Sequence, residues 1–562
     1  MKTSIKSFNR RDFIKGLGVS TAAVGAGSLL PFSACRVPSG TPDAANDESP
    51  LLQIGEEIAI AQTDRGKVKG FIMRGVYTFL GIPYGADTSG KNRFMPPVKP
   101  EPWEGVRPAV FYGNSAPQNV YNRASTNYGA FIDHWNYDEL SENCLSLNVW
   151  TNALADGKRR PVIVWLHGGG YTSGNGIEQD GYHGENIARY GDVVYCSINH
   201  RLGVFGFSDL SAAGDKYKDS GSVGLLDMVA ALQWVHDNIA HFGGDPDNVT
   251  IIGQSGGGGK VCLLAACPQA KGLVHKGVAL SGSATTGNNK DYSRKLGEYI
   301  LKEARLSPSA ADKLQELPWR EYLDLANRAA QKMREEQGDG GMRRGGFGPV
   351  ADGIHLPEAT FFESPLPDSP DIPMLFCTTF HEQSPSRTDA ALENISLPEV
   401  TARLAQRYSD KAEAIVQAYA RNFPEAKPIE LLALINSNRL SVVNAATAKS
   451  KQASPIWMAW FGWCPPLFDG RMRAFHCLDI SFWFLNTDLM ITHSGGGARP
   501  RRLSQKMADA LLAFARSGDP NGSALPPWPP FTVEQGETMI LNDICEVKND
   551  PDREARTALI NN

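Results

Sequence analysis

Ser255 stands at the centre of Gly253-Gln254-Ser255-Gly256-Gly257, and its neighbours indicate what its hydroxyl can do. Val249, Ile251 and Ile252 form a β-branched apolar run before this pentapeptide, and a glycine-rich helix start follows it. A strand that turns sharply into a helix strains its central residue, and flanking glycines remove the Cβ atoms that would obstruct the turn. The serine Oγ then projects from the sheet's C-terminal edge, beside the amides of a helix N-terminus. A serine hydroxyl is a poor nucleophile until a histidine takes its proton and a carboxylate fixes that histidine's tautomer. The reaction also needs N–H donors aimed at a developing oxyanion, worth about 3–4 kcal/mol each. Trp165-Leu166-His167-Gly168-Gly169-Gly170-Tyr171 offers such donors, because backbone without side chains can turn its amides toward a ligand. The expected donors are the amides of Gly169, Gly170 and Gly256. A plain glycine turn is the competing reading of this loop.

These groups need a frame, and the hydrophobic pattern supplies one. Residues 161–166 and 192–198 are short, apolar and β-branched, as strands buried on both faces should be. Leu225, Met228, Val229, Leu232, Val235 and Ile239 recur at three- and four-residue steps between Gly224 and Phe242, which predicts an amphipathic helix stopped by Gly243-Gly244-Asp245-Pro246. Further strands are predicted from Gly277 to Leu280, Ile372 to Cys377 and Ile456 to Phe461, and a terminal helix over Lys506–Arg516. Residues 290–345 read as a helical, polar cap insertion, and Gly338–Gly348 as a glycine-rich loop. Strands alternating with helices predict a mostly parallel sheet covered on both faces.

The bulk composition excludes several functions. Lys and Arg total 56 against 61 Asp and Glu, which leaves no basic field for nucleic acid. At the N-terminus, Asn9-Arg10-Arg11-Asp12-Phe13-Ile14-Lys15 reads as a twin-arginine export signal before an apolar run from Gly16 to Leu30. That run is shorter than the ~20 residues a membrane span needs. Phe32-Ser33-Ala34-Cys35 resembles a bacterial lipobox with Cys35 as the lipidated residue; the alternative is plain cleavage after a small residue. The expected organisation is a signal peptide over 1–35, a flexible tether over 36–53 and one catalytic domain over 54–562. The expected location is the periplasm or, through a lipid anchor, the cell envelope. Eight cysteines remain after Cys35, mostly inside apolar segments, and read as buried free thiols. No C-x-x-C pair or metal-type histidine spacing occurs, so neither metal nor cofactor is expected.

Several motifs together resemble the type-B carboxylesterases, the family of the cholinesterases and bacterial para-nitrobenzyl esterases. They are Phe79-Leu-Gly-Ile-Pro-Tyr84, Arg93-Phe94, Ser141-Glu142-Asn-Cys144-Leu-Ser-Leu147-Asn148-Val, Asn199-His-Arg201-Leu-Gly203-Val-Phe-Gly206-Phe and Phe242-Gly-Gly-Asp-Pro246. The likeness runs in family order from about residue 60 to Leu541. It implies an α/β-hydrolase fold with helical cap insertions and the chain order Ser, Glu, His. Glu382, nine residues after Pro373, maps onto the family's acid, and His476 in Arg473-Ala-Phe-His-Cys-Leu-Asp-Ile480 maps onto its base. His381 is the rival titrating residue beside the acid. Ser281 matches a family serine that supports the acid from behind; strand-end packing is the other reading of it.

The chain also departs from the family. Cys377, Thr379 and His381 replace the usual Gly, Asn and Asp. Gln254 and Gly256 replace the Glu and Ala of the usual elbow, and no cysteine stands near Ala116–Gln118 to pair with Cys144. Trp457, Trp460 and Trp463 read as core or as an aromatic pocket wall. The implied activity is hydrolysis of small carboxylic esters through an acyl-enzyme. The same triad acting on an amide, carbamate or lactone is the alternative, and a non-catalytic surface binding protein the remaining one. Substrate and oligomeric state are not legible.

Overall fold

Along the central strands the side chains alternate between two hydrophobic cores, one on each face of the sheet. Val162, Val164 and Leu166 point into one core while Ile163 and Trp165 point into the other. The pleat produces this alternation, and burial on both faces is why these strands are apolar throughout. The computed structural model describes residues 50–120, 136, 139–337 and 346–560. The export signal, Cys35, the tether up to Ser49 and residues 338–345 of the glycine-rich stretch lie outside the described residues.

Among the described residues the main sheet has twelve strands. In chain order they are β1 (Leu52–Gln53), β2 (Phe71–Met73), β3 (Val76–Pro83), β4 (Ser146–Thr151), β5 (Arg160–Leu166), β6 (Val194–Ile198), β7 (Gly244–Gln254), β8 (Lys276–Leu280), β9 (Met374–Thr379), β10 (Ile456–Phe461), β11 (Glu537–Leu541) and β12 (Glu546–Asn549). Their spatial order is β1-β2-β3-β4-β6-β5-β7-β8-β9-β10-β11-β12. Every pairing from β6 through β11 is parallel, and the strands beyond each end join antiparallel. This is the α/β-hydrolase arrangement expected. A separate three-stranded sheet, Ile60–Thr63, Gly66–Lys69 and Val106–Pro108, is interleaved in the chain with β1 to β3 of the main sheet.

Helix α1 (Val223–Asn238) lays Leu225, Met228, Leu232 and Val235 on one face of the sheet, beside α2 (Gly256–Leu264). The predicted cap forms α3 (Lys290–Glu303) and α4 (Trp319–Gln337), packed on each other through Leu296, Ile300, Tyr322, Ala326 and Met333. A second helical block follows β9: α5 (Leu397–Tyr408), α6 (Ala412–Asn422), α7 (Pro428–Ile435) and α8 (Arg439–Lys449). Helix α9 (Ala498–Ser517) covers the other face with Leu503, Met507, Leu511 and Phe514.

Several sequence expectations need correction. Leu52 and Gln53, assigned to the tether, pair with Met73 and Ile72 as an edge strand. The helix expected over Lys506–Arg516 begins at Ala498, because Leu503 one turn earlier already faces the core. It is also not terminal: β11, β12 and a helix over Arg553–Ile560 follow. The strand expected from Asp192 starts at Val194, since Asp192 is left-handed (φ 46°) and ends the helix before it. All three tryptophans, Trp457, Trp460 and Trp463, are buried. The eight described cysteines are free.

Candidate active site

At the end of β7 the backbone reverses on Ser255, which adopts φ 58° and ψ −120°. The positive φ is strained for a residue with a Cβ, and the surroundings over-determine it. Ser255 N donates to Leu280 O on β8 at 2.7 Å, and Ser255 O accepts from Gly259 N at 3.2 Å. The glycines are obligatory here. A Cβ on Gly253 would lie 2.5 Å from Gly257 O, and one on Gly282 would lie 1.7 Å from Ser255 O. The strand-to-helix elbow is therefore built as the pentapeptide predicts.

Glu382 follows the end of β9, and its carboxylate is buried. Oε1 accepts from Thr379 N at 3.0 Å, and Oε2 lies 2.5 Å from His476 Nδ1. The two segments also pair through their backbones, His476 N to Glu382 O at 3.2 Å and His381 N to Ala474 O at 3.0 Å. Arg473 anchors the histidine loop from behind: Nε donates to Glu430 at 3.0 Å, while Nη1 and Nη2 hold Glu393 at 2.9 and 2.7 Å. His381 is buried, its Nδ1 has no hydrogen-bond partner among the described residues, and burial holds its pKa well below the usual imidazole range. Below the loop, burial and the nearby Glu382 push Asp479 up to about 7.

Gln254 is where this elbow differs from the expected pattern. Its Nε2 lies 3.3 Å from His476 Nδ1 and 3.2 Å from His476 Nε2. An atom equidistant from both ring nitrogens cannot lie in the ring plane without colliding with Cε1. The amide therefore stands over the imidazole face, an N–H contact to the π system. Gln254 Oε1 in turn accepts from Cys477 Sγ at 3.3 Å. Among the described residues, no hydrogen bond joins Ser255 Oγ to His476. Such bonds are often long before substrate binds and close in the reacting complex. Among the described residues the Ser281 hydroxyl is buried and makes no hydrogen bond, to the acid or to any other group; the residue's backbone ties neighbouring segments, with N donating to Cys377 O at 2.7 Å and O accepting from Asn438 Nδ2 at 2.9 Å.

The glycine loop after β5 folds against the elbow. Gly169 and Gly170 are left-handed, at φ 80° and 67°. Thr172 N and Ser173 N close on Gly169 O at 3.3 and 3.2 Å. A Cβ on Gly256 would lie 2.3 Å from Gly170 O and 2.4 Å from Gly170 N, so helix and loop meet backbone to backbone. That contact explains glycine rather than alanine at 256. Among the described residues, the amides of Gly169, Gly170 and Gly256 donate to no protein acceptor. A cavity of about 490 Å³ opens on this loop, lined by Gly169, Thr172, Ser173, Leu202, Val204 and Phe347 among others. Among the described residues no helix is long and apolar enough to cross a membrane.

One buried polar residue near the site escaped the sequence reading. Lys260 sits on α2 within Gly-Gly-Gly-Gly-Lys260-Val-Cys-Leu-Leu, and a lone lysine in an otherwise apolar run was the available signal.

The chain matches a family model described as "Carboxylesterase family" over residues 57–558. It is 33% identical over 518 residues to the para-nitrobenzyl esterase of Bacillus subtilis, covering 89% of this chain and 98% of that one. It is 32% identical to the phenmedipham hydrolase of Pseudarthrobacter oxydans, covering 86% and 95% of the two chains. Among solved structures, an esterase from Clostridium hathewayi, described as able to hydrolyse aliphatic aromatic polyesters, superimposes with a TM-score of 0.78 at 33% identity. That alignment covers 92% of this chain and 98% of that one. A carboxylesterase from Geobacillus stearothermophilus aligns with a TM-score of 0.70 at 31% identity, over 89% and 99% of the two chains.

Proposed function

The chain belongs to the carboxylesterase family and is a serine ester hydrolase, and on that premise we propose that Ser255 is its nucleophile, His476 its general base and Glu382 the acid that orients the base. The observation that carries this reading is the contact between His476 Nδ1 and Glu382 Oε2 at 2.5 Å, made across 94 residues of chain beside the elbow. With its Nδ1–H donated to the carboxylate, His476 keeps Nε2 as the proton acceptor. Ser255 Oγ loses its proton to Nε2 as it attacks the ester carbonyl. The carbonyl oxygen gains the negative charge and is received by the amides of Gly169, Gly170 and Gly256, which have no acceptor of their own among the described residues. The imidazolium then protonates the leaving alcohol. Water, activated by the same histidine, releases the acid and restores Ser255.

Hydrolysis of para-nitrophenyl acetate by the purified protein and by Ser255→Ala tests the reading. The variant is expected to lose roughly 10⁵- to 10⁶-fold in kcat while remaining folded. A variant as active as the parent overturns it.

Export by the twin-arginine route, with Cys35 as the lipidated residue, is the second part of the proposal and rests on Asn9–Lys15 and Phe32–Cys35. Fatty-acid labelling should vanish in Cys35→Ala. Equal labelling of the two proteins rejects the anchor.

A further inference from the structure

Lys260 stands one turn beyond the two glycines through which α2 touches the oxyanion loop. Residues 256, 257 and 260 share a helix face. On that face a Cβ at Gly256 would meet Gly170, and one at Gly257 would lie 2.0 Å from Leu166 O and 3.0 Å from His167 O. Lys260 extends this contact, with Nζ donating to His167 O at 2.9 Å. The side chain is 0% exposed, and among the described residues no carboxylate lies within ion-pairing distance of it.

The groups around it are also basic. His167 and His200 are buried and stacked, with ring centroids 5.1 Å apart. Each places Nδ1 on a backbone carbonyl, Gly168 O at 2.9 Å and Arg201 O at 2.8 Å. Arg201, beyond His200, is closed on Asp227. The acid that acts on Lys260 is Glu178, by attraction at longer range. Burying an amine without a counter-ion disfavours folding, and an apolar side chain of similar length would serve the core better.

We propose that Lys260 is a positioning residue for the oxyanion hole. It fixes the His167 peptide from which Gly168–Gly170 depart, and its ammonium form favours the negative charge that arrives there. The inference rests on the triad reading above. Burial pushes the Lys260 amine down to about 7, opposed by Glu178. Burial, reinforced by Lys260, holds both imidazoles well below their usual range, so they stay neutral while the lysine titrates. Activity that needs the ammonium therefore declines as pH rises through that value.

The test compares the full chain with Lys260→Met and Lys260→Gln on para-nitrophenyl acetate from pH 5.5 to 9.5, with kcat, KM and melting temperature read separately. The expected result is a kcat lower by about tenfold or more, since one lost oxyanion donor costs roughly 10²–10³. KM should stay within about twofold, and the melting temperature should be unchanged or raised, because a buried unpaired charge has been removed. The wild-type profile of kcat/KM should carry an alkaline limb that both variants lack. A Lys260→Met enzyme with wild-type kcat overturns the proposal. So does a wild-type profile without that limb, a measurement that needs no variant to fold. Failure of the triad reading is a separate result, an active Ser255→Ala.

Discussion

Two regions of this molecule bury charged pairs at similar distances and use them differently. Near the cap, Arg93 Nε and Nη2 hold the two oxygens of Glu142 at 2.6 Å each, and Nη1 donates to Leu314 O. Arg201 Nη2 holds Asp227 at 2.6 Å, Nε holds it at 2.8 Å, and Nη1 donates to Met95 O. Both pairs are almost wholly buried. Charged groups enclosed in this way lock distant segments together and leave nothing to react. At the strand ends, Glu382 is equally enclosed, by Thr379 N and His476. Around it, however, the Ser255 hydroxyl and three glycine amides have no protein partner among the described residues. Rigidity needs polar groups to be saturated, whereas chemistry needs a few saturated groups to hold others unsaturated and aimed at one place.

Changes in each region should separate these uses. Glu382→Gln keeps the shape of the acid but offers His476 the wrong partner, and kcat on a para-nitrophenyl ester should fall by about 10⁴ while the melting temperature moves little. If kcat survives, the site does not depend on an enclosed acid, and the contrast fails there.

Arg201→Met leaves Asp227 buried without its counter-ion, holding, among the described residues, only the backbone N–H of residue 201. It should cost roughly 3–5 kcal/mol in urea unfolding, with kcat per folded molecule near wild type. A large fall in kcat at preserved stability would move that pair into the chemistry.

Gly256→Ala should have the smallest effect. Its Cβ would press on Gly170 at 2.3 Å, so the loop must shift and an oxyanion donor leaves register. A loss of about 10² in kcat with KM nearly constant is expected. Wild-type kcat would mean that the loop position tolerates a methyl group.

How much the sequence discloses follows the same division. Ser255 and the Gly168–Gly170 loop are legible because their glycines are dictated locally, by a tight turn and by backbone-to-backbone contact. The strand cores are legible because burial on both faces leaves only apolar choices; Ile456–Phe461 coincides with its expected bounds. Glu382 and His476 are recognisable only through the resemblance, since nothing local ties residue 382 to residue 476 and the sheet alone brings them together. The stacking of Gln254 on His476 and the burial of Lys260 depend on neighbours distant in sequence, so composition is silent on both. Helices α5 to α7 went unpredicted because they build their own small core around Val400, Ile415, Val416 and Leu432 and answer to no motif, while α8 lays Val442, Val443 and Ala446 on the main core. The early start of α9 was hidden by the charge of Arg499, Arg501 and Arg502, which lie on its first turns ahead of the buried Leu503.

Because β8, β9 and β10 run side by side in one direction, the chain must travel back outside the sheet between each pair of them. The first return journey carries α3 and α4, and the second carries α5 to α8. Reactivity resides where strands finish, while the ornament hangs where the backbone comes home. The two journeys are not equally free to change: among the described residues the first hydrogen-bonds to no member of the Glu382–His476 pair, whereas the second begins at Glu382 and lends Glu393 and Glu430 to hold Arg473 behind the histidine loop.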